Sequence, residues 1–228
     1  MSDQDMPRQA EPEVMNIAAE AEAYARADFA EVNEAFVGRL LEVVGPIETA
    51  RAVDLGTGPA DIPIRLLRHR PRWHVTAVDA SEEMLLWARR SVENAVMTDA
   101  IELVCIDAKQ TRLPDAAFDV VFSNSILHHI TDVAAFWTEV RRLGRPGAAV
   151  FLRDLARPAS PYEAGRIVEK YAADETAVLQ EEYYRSLLSA YTPKEVRRQL
   201  ADAGLAMLEV DMATDRHLDI FGRLPVTS

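Results

Sequence analysis

Strand-like and helix-like segments alternate through the middle of this chain, a glycine-rich turn joins the first strand to its helix, and two strands separated by a few polar residues close the chain. These observations predict an α/β protein. Five strands form a parallel sheet with helices on both faces, and a C-terminal antiparallel hairpin extends it to seven mostly parallel strands. With 228 residues, 49% apolar and 27% charged, the chain is long enough for one ordinary domain with a sizeable core.

Each element has its own signal. Residues 1–13 are acidic and polar and read as a flexible tail, leaving 14–228 as a single domain. From Asn16 to Val44, Phe29, Val32, Phe36, Val37, Leu40 and Leu41 recur with a helical period, and Gly45-Pro46 stops the run, so 14–45 is a helical segment. "RAVDLG" is a strand, "DIPIRLLRHR" a helix and "HVTAVD" a strand. "SEEMLLWARRSVENAV" is a helix with Ser81 at its N-cap and acids in its first turn. "IELVCID" and "FDVVFSN" are strands, "DVAAFWTEVRRLG" a helix and "AAVFLRD" the fifth strand. Residues 160–191 carry a long helical pattern where the alternation predicts a short loop, so they read as an insertion. "TPKEVRRQLADAGL" restores a normal helix, with Thr192 as N-cap, Pro193 in the first turn and Gly204 as terminator. "LAMLEVDMA" and "RHLDIFGR" form the hairpin.

Composition excludes several classes. A net charge of −12 argues against nucleic acid, whose binding draws on Lys and Arg against phosphates. No apolar run approaches the ~18 residues of a membrane span. The N-terminal stretch lacks the basic start and apolar core of a secretory signal, so the expected location is cytoplasmic. One cysteine, Cys105, allows no intrachain disulfide or thiolate cluster, and its place in a strand predicts a buried small hydrophobe. No spacing of His, Cys, Asp or Glu suggests a metal site.

The turn "VDLGTGPAD" carries the chemistry. A nucleoside-triphosphate loop needs a lysine and a hydroxyl after its last glycine, whereas Gly58 is followed by Pro59-Ala60-Asp61. A dinucleotide loop wants a third glycine, which is absent, and carboxylates at Asp54 and Asp61 flank the turn. They would repel a pyrophosphate, so the ligand is neutral or cationic on that side. Asp79 ends the second strand, where a carboxylate takes both hydroxyls of a ribose or caps the following helix. Asp107 ends the third strand, placed to read an adenine edge or to serve as a loop carboxylate.

Together, "VDLGTGPA", "VTAVDAS", "VCIDAKQTRLPDAAFDVVFSNSILHHITD" and "RRLGRPGAAVFLRD" resemble the class I S-adenosylmethionine-dependent methyltransferases, of the small-molecule branch that includes quinone-ring enzymes. The resemblance is close over 50–155 and looser over the last helix and hairpin; Ala60 and Ala148 stand where many members have glycine. It implies a Rossmann-like sheet, S-adenosyl-L-methionine as cofactor and S-adenosyl-L-homocysteine as product. It further implies that Gly56, Thr57 and Gly58 pass the methionine portion and that Asp54 faces its amino group. Asp79 and Ala80 would lie at the ribose, Met84 against the adenine face, and Asp107 and Ala108 at its edge. Ser123 and Asn124 would lie beside the sulfonium, and Tyr24 would close over the cofactor.

His128 and His129, with Asp154 past the fifth strand, are the candidates for touching the acceptor; a helix-capping or packing role is the alternative for each. Arg216 and His217, in the hairpin, read as structural. "SNSI" at the fourth strand lacks the N/D-P-P-Y/F pattern of amino methyltransferases of nucleic acid. The expected partner is a small-molecule acceptor, with neither nucleic acid nor membrane. The tyrosines of 160–191 (162, 171, 183, 184 and 191) are expected to roof its pocket, with an extra core layer or a homodimer face as the alternative. A non-catalytic cofactor-binding protein on the same fold is the rival reading; a nicotinamide dehydrogenase lacks support without the third glycine.

Overall fold

The computed structural model describes residues 6–12, 22, 24–25 and 29–226. Its sheet has seven strands: β1 (Arg51–Leu55), β2 (His74–Asp79), β3 (Ile101–Cys105), β4 (Phe118–Asn124), β5 (Gly144–Leu155), β6 (Glu209–Met212) and β7 (His217–Arg223). The order is β3-β2-β1-β4-β5-β7-β6, parallel through β5 and antiparallel across β5-β7-β6. Chain order reverses between β1 and β4, which opens a crevice at the carboxyl ends of those strands. β4 is buried almost throughout, as a central strand covered on both faces must be.

Helices α1 (Ala30–Val44), α2 (Asp61–His69) and α3 (Glu82–Asn94) supply one core layer, in which Phe36, Leu40, Leu66, Trp73, Phe122 and Phe151 pack together. The opposite layer gathers α4 (Val133–Leu143) and α7 (Pro193–Asp202) on Val121, Phe136, Trp137, Val140 and Leu200. Between β5 and α7 stand α5 (Pro161–Ala172) and α6 (Ala177–Ser189), with a smaller cluster of Met6, Leu155, Ala164, Leu187 and Leu188. The α7 N-terminus carries a full capping box, in which the Glu195 amide donates to the Thr192 hydroxyl and the Thr192 amide to the Glu195 carboxylate. No helix among the described residues is long and apolar enough to cross a membrane.

In its secondary structure and packing, the fold departs from the sequence reading at five places. Residues 6–12 do not form a loose tail but lie on the body: Met6 is buried, and the Gln9 amide donates to Leu188 O at 3.1 Å. Phe29 is not helical, so the helix expected from Asn16 begins, as far as described, at Ala30; Glu22, Tyr24 and Ala25 have helical backbone, and the rest of 13–28 lies outside the described residues. The insertion at 160–191 is two helices, broken at the Asp174-Glu175 turn. The fifth strand, expected at "AAVFLRD", begins earlier: β5 takes in Gly144–Gly147, and its pairing with β4 shifts register there, with Gly147 at φ +79°. Cys105 is exposed, because β3 is an edge strand.

Candidate active site

The glycine turn is tied to β2. Gly56 N and Thr57 N both donate to Val78 O at 2.8 Å, and Gly58 N donates to Asp79 Oδ2 at 2.8 Å. Asp79 Oδ1 accepts from Ser81 N at 2.9 Å, so one carboxylate braces both the turn and the start of α3. Gly56 (φ +79°) has a backbone that L side chains avoid, and a Cβ there would meet Ile126 Cδ1 at 2.6 Å. The turn after β4 therefore sits directly on the glycine turn. Ala60, standing for the third glycine, is buried and left-handed at φ 65°.

Three carboxylates predicted at the turn meet different fates. Asp54 is buried at the end of β1, and burial pushes its carboxyl up to about 7; nearby Asp79 adds to the shift. Thr57 Oγ1 lies near enough to favour the Asp54 anion, yet it is buried and outside hydrogen-bond geometry with any described group. Asp79 is also raised by burial, against the hydrogen bonds that Ser81 and Gly58 donate to it. Asp61 does not face the turn: it accepts from Asn33 Nδ2 (2.8 Å) and Arg65 Nε (2.6 Å), mooring α1 to α2.

Farther along the edge, Met84 and Ala108 are buried, while Asp107 is exposed and accepts from Lys109 N at 2.8 Å. Ser123 differs from expectation: its hydroxyl donates to Leu55 O at 2.5 Å in the interior, so it ties β4 to β1. Asn124, at the strand end, is half-buried. Tyr24 approaches the turn, its Cε1 3.9 Å from where a Gly58 Cβ would stand. Burial pushes its hydroxyl up to about 12, with Asp79, Asp154 and Asp61 contributing.

The acceptor candidates are brought together. Ser125, left-handed at φ 57°, turns the chain out of β4 into a short 3-10 turn, Leu127–His129. Asp154 both caps the 3-10 turn and pairs with His128. It is 2% exposed, its Oδ2 accepts from Leu127 N at 2.6 Å, and its Oδ1 lies 2.6 Å from His128 Nδ1. Burial disfavours both charges, but their attraction wins: Asp154 is held below the carboxylate range and His128 above the imidazole range. His129, stacked 4.1 Å from His128, is pushed down to about 3, by burial first and by the neighbouring imidazole second.

Sequence reasoning missed Arg8 and Glu11. Arg8 donates to Ser189 O (2.5 Å), His128 O (2.8 Å) and Ile130 O (3.4 Å), with its guanidinium 4.3 Å over the Tyr191 ring. Glu11 Oε1 accepts from Ser186 and Ser189 and lies 3.2 Å from His129 Nδ1 and 3.6 Å from His128 Nε2. No local pattern marks these two, since an acidic terminal segment looks alike docked or free. The tyrosines expected to roof the acceptor divide between two places. Tyr191 donates to Ile130 O at 2.7 Å beside the histidine turn, but Tyr162 is 75% exposed, and Tyr171 and Tyr183 flank the Arg216 guanidinium.

Residues 53–152 match the family model described as a methyltransferase domain. An uncharacterized methyltransferase of Mycobacterium tuberculosis is 33% identical over 119 residues, 52% of this chain and 57% of that protein. A ubiquinone biosynthesis O-methyltransferase of Methylocella silvestris is 27% identical over 164 residues, 72% of this chain and 61% of that protein. This chain thus spans little more than half the length of the curated relatives it matches. A solved structure of a putative S-adenosyl-L-methionine-dependent methyltransferase from Methanococcus maripaludis superposes with a TM-score of 0.74 at 18% identity, covering 96% of this chain and 99% of that one. The glycine turn braced by Asp79 and the strand order that places it at the β1/β4 crevice agree with these likenesses: residues 53–152 are similar to a methyltransferase domain, and the chain has the fold of that solved structure.

Proposed function

We propose that the protein transfers a methyl group from S-adenosyl-L-methionine to a nucleophilic atom of a small molecule. The observation that carries this reading is Asp79, whose two oxygens lock the glycine turn and the α3 start around the crevice mouth. A carboxylate at that strand tip suits a ribose diol. The rest of the crevice fits the same group. Asp54 is a buried carboxyl awaiting a cation, Thr57 Oγ1 is a buried hydroxyl short of a partner, and Met84 is an apolar side chain behind the α3 start. None of these groups suits a phosphate.

The bound cofactor would supply an electrophilic methyl group on a positively charged sulfur. The chain's own contribution is proximity, orientation and exclusion of water. Asp79 fixes the turn, Asp54 and Thr57 would hold the amino-acid end, and Tyr24 covers Gly58. The turn after β4, with Ile126 on Gly56, sets His128 and His129 next to the cofactor loop, while α6 and residues 6–12 cover the same side. The likeness to a quinone-pathway O-methyltransferase makes phenolic rings the first acceptors to assay. Purified protein should transfer label from methyl-labelled S-adenosyl-L-methionine to a small molecule in a deproteinised cell extract, read by mass spectrometry. Tight S-adenosyl-L-homocysteine binding with no labelled small molecule from any extract would reject the catalytic reading.

A further inference from the structure

We infer that Glu11, His128 and His129 bind one divalent transition-metal ion of the zinc class, with Asp154 as the group that orients His128. The inference that the ion serves an acceptor rests on the function proposed above; the binding itself does not.

The donor atoms are already gathered. One carboxylate oxygen of Glu11 and one ring nitrogen from each histidine lie within 4.8 Å of one another. Glu11 Oε1 is 3.2 Å from His129 Nδ1 and 3.6 Å from His128 Nε2. Tetrahedral zinc with ligands at about 2.0–2.2 Å sets neighbouring ligand atoms roughly 3.3 Å apart, close to both distances from Glu11 Oε1 to the imidazoles. Two imidazoles and one carboxylate make a three-ligand set that leaves a position open for an outside ligand.

The surroundings are those of a supported site. Asp154 Oδ1 lies 2.6 Å from His128 Nδ1, which holds a proton on that nitrogen and turns Nε2 toward Glu11, where the ion would displace the second proton. The Ser186 and Ser189 hydroxyls donate to Glu11 Oε1 at 3.1 and 3.0 Å and fix its carboxylate. Pro12 O, 3.3 Å from His129 Nδ1, accepts a hydrogen bond from that nitrogen in the ion-free protein, a bond the metal would replace. Arg8, the nearby cation, is committed to three backbone carbonyls and the Tyr191 ring. Among the described residues no Lys or Arg forms an ion pair with Glu11 or Asp154, so negative charge and lone pairs converge here with only imidazoles between them. The histidine pair shows no metal spacing in the sequence because its third partner comes from the far N-terminal segment.

The test uses untagged full-length protein carrying Cys105→Ser, since that exposed thiol is a competing soft ligand. After chelator treatment it is titrated with Co²⁺, read by visible absorption, and with Zn²⁺, read by calorimetry. One ion per chain is expected. Affinity should fall at least tenfold in Glu11→Gln and in His129→Ala, both at a half-buried position where the fold should persist, as near-ultraviolet circular dichroism will verify. Asp154→Asn, which leaves the ligands in place, should cost about 10–100-fold. Absence of a stoichiometric ion, or equal affinity in parent, Glu11→Gln and His129→Ala, would overturn the site. Calorimetry with S-adenosyl-L-homocysteine on the same samples separates the two readings: an ion bound without the nucleoside leaves the metal site standing and removes the methyl-transfer role.

Discussion

Gly56→Ala tests whether the cofactor turn and the histidine turn are mechanically one unit. The alanine meets two separate costs. A left-handed conformation costs an L residue roughly 1–2 kcal/mol, and forcing extra volume into a packed site costs about 1–3 kcal/mol more. The second cost arises because the new Cβ would stand 2.6 Å from Ile126 Cδ1 and 3.0 Å from Ile126 Cβ. Reduced freedom of the unfolded chain returns about 0.4–1 kcal/mol. The net is a loss of about 3 kcal/mol, or about 6–12 °C in Tm for a chain of this size. Gly58→Ala carries only the conformational cost, because its nearest neighbour is Tyr24 Cε1 at 3.9 Å, and should lose about 1 kcal/mol. Gly38→Ala, in open space on α1, should gain about 0.5–1 kcal/mol. Differential scanning calorimetry of the three variants gives the ordering. A double-mutant cycle with Ile126→Ala then isolates the contact, with an expected coupling of about 1–3 kcal/mol. Equal losses at Gly56 and Gly58, or a coupling near zero, would refute the claim that Ile126 rests on the turn.

Asp79→Ala should weaken S-adenosyl-L-homocysteine binding at least about tenfold, since a hydrogen bond to a charged acceptor contributes roughly 1.5–3 kcal/mol; unchanged affinity by calorimetry would reject the ribose role. Asp54, raised to about 7 by burial, makes a contribution to stability that is complete below the unfolded-state value near 4 and fades as pH rises to about 7. Asp54→Asn should therefore flatten Tm against pH across that window while weakening nucleoside binding above it, and a parallel pair of Tm curves would dismiss the burial argument. Glu139 accepts from Thr111 N (2.7 Å) and Arg142 Nε (2.9 Å), and although burial opposes its charge, these partners hold it down to about 2. Glu139→Gln should cost about 1–3 kcal/mol at pH 7, and the difference from the parent should shrink as pH falls from about 4.5 toward 2. Denaturant unfolding at both pH values reads this directly, and a pH-independent difference would show that the charge is irrelevant.

The sequence by itself determined the parallel sheet, its hairpin and the cofactor edge, because those signals are local. Alternating periods mark β1 to β5, Thr192 and Pro193 start α7, and Gly56, Gly58 and Asp79 lie on one strand–turn–helix unit and the strand beside it. It also determined that Asp54 stands at a strand end, though not that burial would raise its carboxyl, which takes neighbours from three strands to produce. Tertiary structure alone decided the rest. Ser123 turned inward because the β1 carbonyl of Leu55 lies within reach, and Cys105 stayed exposed because β3 found no neighbour on its outer edge. Asp154 became the partner of His128 through the parallel register of β4 and β5, which sets Asn124 opposite Arg153 and so brings the two strand ends together. Arg8 and Glu11 reached the same point from the far end of the chain, where no periodicity or spacing records the contact. Local patterns encode which element a residue joins; the distance between side chains far apart in sequence is set only when the elements pack.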